Sequence, residues 1–457
     1  IVTSDDMSKY VFDVSTKRLI RLEDRVGNAL RIIYDSKGQI DYVIDDVGRK
    51  LDFTFNANGK VESIEDPLTN RSVKYNYSNG LLTKVIDSEL KETTYEYDSN
   101  DRIVKVIDAN NNTAVKIDYD VFGRIVRQYD AEGNVTYQVY SDATNERYII
   151  DARGNESRVR FNLDMRVVEE VDALGNKVVY EYSYYDPGSN KWEVIPDVDI
   201  RTLEDNKDPN TKAYTKYLEA GKDKRLKIKE TMYDKRGNAT TNEYDENNNL
   251  VGTVDPLKQT TSMVYDPVYK HNLISKTDKK GNTTTYVYDN EGKYGPKGAL
   301  LVKEIDPLGN ELIYDYYTNE SGIKIKGLVK TVTEKKRVDQ KDPNSELIEF
   351  KVTEYKYDDL YNNRTQIIDT LGNSTYEEYD AAGRLQKVTN ARGYTTKYTY
   401  DKNDRIIVEE IFPQTNERKI LKRTESIYDN VGNKTFVIEE RFAADRPDYP
   451  KEDLVTE

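Results

Sequence analysis

The chain has 457 residues, a formal net charge of −14 and no cysteine. Its scattered acidic residues would repel a phosphate backbone, which argues against nucleic-acid binding, and its composition excludes disulfides and thiolate metal sites. No apolar run approaches the roughly 18 residues of a membrane-spanning helix, whereas 38 tyrosines with many Val, Ile and Thr favour β-sheet.

A short repeat runs along most of the chain, and such a repeat decides the fold class before any single motif does. The pattern Asp-x-x-Gly-Asn, or a close variant, recurs every 21 or 22 residues at the start of the chain. It is interrupted twice, between Asp172 and Asp234 and between Asp306 and Asp369. The anchors are Asp24, Asp45, Asp66, Asp87, Asp108, Asp130, Asp151, Asp172, Asp234, Asp255, Asp278, Asp306, Asp369, Asn390 and Asp429.

An aromatic residue follows almost every anchor after ten or eleven positions, and only the last anchor, Asp429, lacks one. This constant spacing indicates that one structural unit is repeated many times along the chain, with each unit contacting mainly its neighbours. The aromatic residues are Tyr34, Phe55, Tyr77, Tyr97, Tyr119, Tyr140, Phe161, Tyr182, Tyr244, Tyr265, Tyr288, Tyr316, Tyr379 and Tyr400.

The stretch from Thr93 to Asn112 shows what one unit predicts. Thr93, Tyr95 and Tyr97 alternate with polar residues, which is the period of a β-strand. A turn cluster follows, then a second run of β-branched residues ending at Ile107. Each repeat is therefore predicted to contain two strands of roughly six residues joined by tight turns. Such units give a continuous antiparallel meander.

The Asp-x-x-Gly spacing predicts a type I turn whose fourth residue takes a positive φ and closes a bulge. Gly154, Gly175 and Gly372 are the clearest cases. Where another residue stands at the glycine position, a different turn is expected. Those positions are Thr69, Leu90, Asn111 and Lys258.

Pairs of tyrosines fall at the same register in many units and are predicted to form ladders on one sheet face, with their hydroxyls available to water. A sheet of about 30 strands cannot stay flat, so we expect a curved wall. The pairs are Tyr75/Tyr77, Tyr95/Tyr97, Tyr180/Tyr182, Tyr286/Tyr288, Tyr355/Tyr357 and Tyr398/Tyr400.

The two interruptions are interpreted as long insertions at about 183–230 and 317–356, forming elongated or extra hairpins that project from the wall. The second contains a turn signal near Asp342 and Asn344. We assign the repeat wall to residues 1–433 and a linker-like or truncated end to 434–457. The chain is expected to be a piece of a longer protein with both ends of its sheet exposed.

Few side chains invite a catalytic interpretation. The single histidine, His271, lies in a turn with no nucleophile motif near it, and the Asp-rich turns lack the spacing of calcium loops. Carboxylate pairs such as Asp45–Asp46 and Asp358–Asp359 also lie in predicted turns. The sequence therefore assigns no catalytic, cofactor-binding or metal-binding residue.

The units YDAAGRLQKVTNARGYTTKYTYD, YDVFGRIVRQYDAEGNVTYQVY and YDSNDRIVKVIDANNN resemble the RHS/YD-repeat family over roughly residues 12–433. That family includes bacterial RHS polymorphic toxins, wall-associated proteins, the C component of Tc toxins and animal teneurins. The resemblance implies an all-β hairpin meander that winds into a curved, spiral, cocoon-like sheet. In the bacterial toxins this sheet is a hollow shell around a C-terminal toxin domain.

The segment that ends such shells, with a DPxGL-type sequence and self-cleaving aspartates, is not found. DPLGN at Asp306 occupies an ordinary repeat turn. The resemblance implies a structural, non-enzymatic repeat segment of a secreted or cell-surface bacterial toxin, without a cofactor. Its partners would be a cargo toxin domain and adjacent repeats. The alternative is an adhesion module that binds cell-surface carbohydrate through exposed tyrosines.

Overall fold

The computed structural model describes residues 1–198, 208–222, 225–318, 322–342, 344–414, 419–443 and 446–456. It divides into two compact units. Unit 1 combines Ile1–Thr113 with Val287–Glu457, and unit 2 is Ala114–Tyr286. Both are built from antiparallel strands, which confirms the predicted all-β hairpin meander.

Unit 1 contains an N-terminal run and a C-terminal run of strands. The N-terminal run is β1 Val2–Thr3, β2 Lys9–Phe12, β3 Leu19–Glu23, β4 Ala29–Tyr34, β5 Ile40–Ile44, β6 Lys50–Phe55, β7 Val61–Asp66, β8 Arg71–Ser78, β9 Leu81–Ile86, β10 Glu92–Tyr97 and β11 Ile103–Ile107. Two strands span the divisions between the units: β12 Thr113–Tyr119 and β25 Thr283–Tyr288.

Unit 2 holds the strands between these two. They are β13 Ile125–Tyr129, β14 Val135–Ser141, β15 Glu146–Ile150, β16 Glu156–Phe161, β17 Val167–Val171, β18 Lys177–Asp186, β19 Lys191–Val194, β20 Ile228–Tyr233, β21 Ala239–Tyr244, β22 Leu250–Val254, β23 Thr260–Tyr265 and β24 Leu273–Thr277. The only helix of the described chain, α1 Pro209–Gly221, also lies here.

The C-terminal run completes unit 1. Its strands are β26 Leu301–Ile305, β27 Glu311–Tyr316, β28 Val329–Arg337, β29 Leu347–Tyr357, β30 Arg364–Ile368, β31 Ser374–Tyr379, β32 Leu385–Thr389, β33 Thr395–Tyr400, β34 Ile406–Phe412, β35 Lys422–Tyr428, β36 Lys434–Ala443 and β37 Arg446–Thr456. The last two strands occupy most of the segment for which the sequence predicts a linker-like end.

The pairing register shifts by one residue at the aromatic that ends the first strand of a repeat. In the β4–β5 hairpin Ile33 pairs with Tyr42 but Tyr34 pairs with Ile40, and the same shift occurs at Tyr379 in the β31–β32 hairpin. This is a β-bulge, which bends the strand and increases its twist. Its recurrence with the repeat gives the sheet a regular source of curvature.

The first insertion differs from the expected projecting hairpin. The β18–β19 hairpin is present, but α1 follows it and packs against β18, where Tyr184 and Tyr214 are buried together with Ile195 and Val198. Asp208 caps the helix by accepting a hydrogen bond from the Asn210 N–H at 3.2 Å. The helix was missed because it has no repeat motif. Residues 199–207 and 223–224 of the insertion lie outside the described chain.

The second insertion contains the long hairpin that the sequence predicts. Strands β28 and β29 pair antiparallel, and the Ser345 N–H donates to the Asp342 carbonyl at 3.0 Å in the turn between them. A loop precedes β28, and Asn362 of the next turn holds it by accepting hydrogen bonds from the N–H groups of Lys324 and Ile325 at 2.7 and 2.9 Å.

Candidate functional site: the turns and the seam they form

The Asp-x-x-Gly-Asn turns, here called Asp–Asn turns, share one hydrogen-bonded geometry. In the turn from Asp151 to Asn155, the Gly154 N–H donates to the Asp151 carbonyl at 2.9 Å, and Gly154 has φ 82°. The carboxylate oxygen Oδ1 of Asp151 accepts the N–H groups of Arg153 and Asn155 at 2.9 and 2.8 Å. Oδ2 accepts the Asn155 side-chain amide at 2.8 Å. Every defined position of the motif therefore has a bonding role.

The positive φ predicted for the motif glycines is confirmed. Gly154, Gly175 and Gly372 have φ of 82°, 77° and 80°, in turns that join neighbouring strands. No atom lies within 4 Å of the position where a Cβ would stand on any of these three glycines. The requirement for glycine there comes from backbone conformation and not from crowding.

Three of the four positions without glycine contradict the expectation of a different turn. Leu90, Asn111 and Lys258 take φ of 64°, 68° and 63°, and their N–H groups bond to the motif aspartate as glycine does. The side-chain hydrogen bonds of the aspartate thus impose the turn even on a leucine. At Thr69 the turn does differ, because the positive φ of 54° moves to Asn70.

The turn carboxylates are stabilised in their charged form. The side-chain amide of Asn155 and the surrounding N–H groups hold the pKa of Asp151 below its usual range. The equivalent amides lower the pKa of Asp172, Asp234 and Asp278 in the same way.

A second kind of turn, with the sequence Tyr-Asp-x-x-Gly-Arg and here called the Tyr–Asp turn, links one repeat to the next. Arg384 donates from Nε to Asp380 Oδ2 at 2.7 Å, and its guanidinium carbon lies 4.7 Å from the ring centroid of Tyr400 in the following repeat. The Tyr400 hydroxyl donates to the carbonyl of Leu385 at 2.7 Å. Each tyrosine is therefore fastened to the residues that begin the preceding strand.

The same tyrosine contact recurs along the chain. The tyrosines of four other repeats donate to the carbonyl 15 residues earlier, at 2.6–2.9 Å, so these hydroxyls serve the protein and not the expected water contacts. Burial raises the pKa of Tyr182 and of Tyr316 to about 12. The four pairs are Tyr34–Leu19, Tyr97–Leu82, Tyr182–Val167 and Tyr316–Leu301.

Tyr428 explains why Asp429 has no aromatic partner downstream. Tyr428 directly precedes Asp429, its hydroxyl donates to the Ile406 carbonyl at 3.0 Å, and Arg405 lies 5.0 Å from its ring centroid. Asp429 therefore begins a Tyr–Asp turn by position, although Asn433 stands in the place of the arginine and its side-chain amide donates to Asp429 Oδ2 at 3.0 Å as in an Asp–Asn turn.

Within unit 1 the two runs of strands meet turn to turn along a line that we call the seam. One side of the seam consists of Asp–Asn turns, at residues 24–28, 45–49, 66–71, 87–91 and 108–112. The opposite side consists of loops and Tyr–Asp turns, at residues 289–300, 322–327, 358–363, 380–384, 401–405 and 429–433. At the first contact, the Asn28 side chain accepts the Lys326 N–H at 2.7 Å and donates to its carbonyl at 3.2 Å. Arg25 also donates to the Gly298 carbonyl at 2.9 Å.

The seam continues through three further contacts. Arg71 pairs with Asp404 at 2.5 Å, and Arg384 also reaches that carboxylate, at 3.0 Å. Asn403 donates to Asp87 Oδ2 at 2.7 Å, and the Glu89 carboxylate accepts the Lys402 N–H at 2.6 Å. Asn110 donates to Asp429 Oδ2 and accepts the Asn430 N–H, both at 3.1 Å. Apart from the pair of Arg384 with Asp404, these contacts join residues 313–333 positions apart in sequence.

Apolar side chains fill the space between the polar contacts. Val26 and Val47, the third residues of their Asp–Asn turns, are only 8% and 6% exposed. Further along, a cleft of about 600 Å³ separates Arg49 and Leu68 from the small tip residues Ala381 and Ala382. The seam thus combines packed segments with an open cleft.

The residues considered in the sequence for catalysis have structural partners. His271 Nδ1 lies 2.6 Å from Asn249 Oδ1, and Asp46 binds the Ala29 N–H and the Arg31 guanidinium, both at 2.7 Å. Asp358 accepts N–H groups of its own turn. In the described ranges no group of three or more acidic or histidine side chains is placed to hold a metal ion. No described helix has the length and apolarity to cross a bilayer.

Family models match two parts of the chain. The teneurin YD-shell model matches residues 1–146, which contain the Asp–Asn side of the seam. The RHS repeat model matches residues 379–416, which contain two Tyr–Asp turns of the opposite side. No curated protein sequence matches the chain.

Solved structures of Tc toxin components align with most of this chain. The crystal structure of TcdB2-TccC3-Cdc42 aligns at 10% identity and TM-score 0.29, over 96% of this chain and 33% of that one. TcdB2-TccC3 aligns at 11% and 0.30, over 96% and 31%. The Photorhabdus luminescens Tc holotoxin pore aligns at 12% and 0.27, over 95% and 32%. At these TM-scores the alignments do not establish a common overall fold.

The chain spans about one third of the length of these solved chains. The two family matches fall on opposite sides of the seam, and the tyrosine, aspartate, glycine and arginine of the shared repeat each have a bonding role in the structure. Residues 1–146 and 379–416 therefore carry repeats of the teneurin YD-shell and RHS type.

Proposed function

We propose that the chain is a wall segment of a hollow shell that encloses a C-terminal toxin domain in a secreted or surface-associated RHS-type bacterial toxin. Its function is mechanical and electrostatic containment, not catalysis. Its partners are the cargo domain and adjacent repeats. Binding to cell-surface carbohydrate remains an alternative that no particular contact favours.

The seam of unit 1 is the observation that carries this proposal. A container requires that successive parts of its wall be joined, because an open gap would admit proteases and solvent to the cargo. In unit 1 the two runs of strands are held by the ion pair of Arg71 with Asp404 and by hydrogen bonds at Asn28, Asp87 and Asn110. Backbone groups take part at several points, which fixes the distance between the two rows of turns.

Limited proteolysis of the full gene product tests containment. In the native protein, the cargo should resist a protease that readily digests it after denaturation. Arg71→Ala combined with Asp404→Ala removes one polar contact of the seam and should increase the rate of cargo cleavage. The matched control is Lys84→Ala with Glu92→Ala, an ion pair of 2.7 Å within one run of strands.

The expected result is faster cargo cleavage in the seam variant and unchanged cleavage in the control. Equal cleavage of the cargo before and after denaturation would show that nothing is enclosed and would refute the shell function. Specific retention of the chain on a glycan surface, together with an unprotected downstream domain, would support adhesion in its place.

A further inference from the structure

A seam between two rows of repeated turns has an inherent ambiguity. If all Asp–Asn turns were identical and all Tyr–Asp turns were identical, the rows could slide by one repeat and form the same contacts. Repetitive strands face the same problem, because register is weakly specified wherever the pattern does not change. A unique seam therefore requires residues that differ from one turn to the next.

The cross-seam bonds come from residues that the repeat motif leaves free. Glu89 and Asn110 are each the third residue of their Asp–Asn turns. Each accepts the N–H of the second residue of a Tyr–Asp turn, Glu89 from Lys402 at 2.6 Å and Asn110 from Asn430 at 3.1 Å. The two contacts are geometrically equivalent, but the side chains that make them are chemically different.

The difference matters because of the aspartate that begins the second Tyr–Asp turn. The Asn110 amide donates to Asp429 Oδ2 at 3.1 Å, which a glutamate in the same place could not do. In the neighbouring contact, Asp87 Oδ2 accepts the side chain of Asn403 at 2.7 Å. The corresponding residue of the next Tyr–Asp turn is Val431, which has no side-chain donor.

We propose that Glu89 and Asn110 are register-determining residues that select which Tyr–Asp turn each Asp–Asn turn faces. A slip of one repeat would place Asp87 against Val431. It would also place Glu89 against Asp429, whose turn ends in the neutral Asn433, whereas in the native contact Arg405 neutralises the corresponding carboxylate of Asp401. Juxtaposed like charges are a strong means of rejecting an incorrect pairing. The inference rests on the seam of unit 1 alone and holds whether or not the wall encloses a cargo.

Cross-linking can measure the register directly, because the chain has no cysteine of its own. Ala109→Cys with Val431→Cys reports the native register, and Ser88→Cys with Val431→Cys reports a slip of one repeat. The three positions are turn residues whose side chains form none of the cross-seam bonds described above. A short bismaleimide would be added to each purified pair, and the yield of intramolecular product compared.

Three variants of the proposed residues are then combined with each cysteine pair. Asn110→Glu places a carboxylate against Asp429 and should lower the native cross-link about tenfold. Asn110→Ala removes the same hydrogen bonds without adding a charge and should have a smaller effect. Glu89→Asn keeps an acceptor for the Lys402 N–H but removes the carboxylate that would oppose Asp429, so the slipped cross-link should increase. Lys229→Ala with Glu243→Ala, an ion pair of 3.3 Å in unit 2, is the matched control and should change neither cross-link.

Hydrogen exchange of the Asn430 amide, together with near-ultraviolet circular dichroism, distinguishes loss of register from unfolding. In Asn110→Glu the Asn430 amide should lose protection while the spectrum is retained. A native cross-link in Asn110→Glu equal to that of the unmodified sequence, or a slipped cross-link in Glu89→Asn that does not increase, would overturn the proposal. So would a slipped cross-link in the unmodified sequence as abundant as the native one. None of these outcomes bears on the shell function, which the separate measurement of cargo protection tests.

Discussion

Replacing Tyr316 by phenylalanine isolates the contribution of one tyrosine hydroxyl to the joining of repeats. Tyr316 is 7% exposed, and its hydroxyl donates to the Leu301 carbonyl at 2.6 Å. Phenylalanine keeps the ring, including its edge contact with Tyr294 at a centroid distance of 5.4 Å. The substitution therefore removes a hydrogen bond with almost no change in packing.

The expected loss follows from burial of the donor. A typical hydrogen bond contributes roughly 1 kcal/mol net, and leaving a buried acceptor without its partner adds to the loss, so Tyr316→Phe should cost about 1–2 kcal/mol. Tyr376→Phe is the matched control, since Tyr376 is 51% exposed and lies three residues before Tyr379, the repeating aromatic of its strand. Its loss should be close to zero.

Native-state hydrogen exchange of the amides in β26 and β27 is the appropriate assay, because a repeat array opens locally and need not unfold in one step. Opening free energies in these strands should fall in Tyr316→Phe and remain unchanged in Tyr376→Phe. Equal effects of the two substitutions would refute the conclusion that the hydroxyl-to-carbonyl bond joins the repeats.

The same tyrosine predicts alkaline lability, because burial raises the pKa of Tyr316 to about 12, above its value in the unfolded chain. The contribution of Tyr316 to stability is complete below about pH 10 and should disappear as pH rises through 12. In urea unfolding measured over a pH series, Tyr316→Phe should lack this alkaline loss of stability. In acid the dependence of stability on pH has the opposite sign. Because the pKa of Asp151 is lower in the folded protein than its unfolded value near 3.9, its carboxylate stabilises the fold above that value, and stability should fall as pH drops through the folded pKa. Asp151→Asn should flatten that dependence. Leu90→Gly should stabilise by about 0.5–1 kcal/mol because Leu90 holds φ 64° with its side chain 74% exposed. Gly154→Ala should destabilise the fold by about 1 kcal/mol, because the alanine would have to keep the φ of 82°. Urea midpoints measure both changes, and a midpoint shift of opposite sign would contradict the turn geometry.

The local structure of a repeat could be predicted from sequence because its causes are local. An aspartate, a glycine three residues later and a tyrosine before the next turn determine backbone geometry over fewer than ten residues. The expectation failed at Leu90 because the rule considered only the preference of glycine for positive φ. The hydrogen bonds that the Asp87 carboxylate accepts from the N–H groups of Glu89 and Lys91, at 2.9 and 2.8 Å, were the stronger determinant of the turn.

The seam and the helix α1 could not be predicted in the same way. The partners of the seam lie about 300 residues apart, and no feature of Asp87 indicates that Asn403 will lie 2.7 Å away. Departures from the repeat motif were the only sequence feature that indicated a seam contact. At Asp87, Lys91 replaces the asparagine that would otherwise bind the Asp87 carboxylate. The helix interrupts the repeat and depends on Tyr184 and Tyr214 meeting across an insertion.

The tyrosine contact gives the array a direction. Each hydroxyl reaches back to the repeat before it: Tyr400 binds Leu385, and Tyr316 binds Leu301. Truncation from the carboxyl end of a run removes tyrosines of this series and leaves the acceptors of the remaining members in place. Truncation from the amino end removes acceptors and leaves the next tyrosine, already buried, without a partner. In this series of bonds, the loss of a unit at the later end therefore costs less than the loss of a unit at the earlier end.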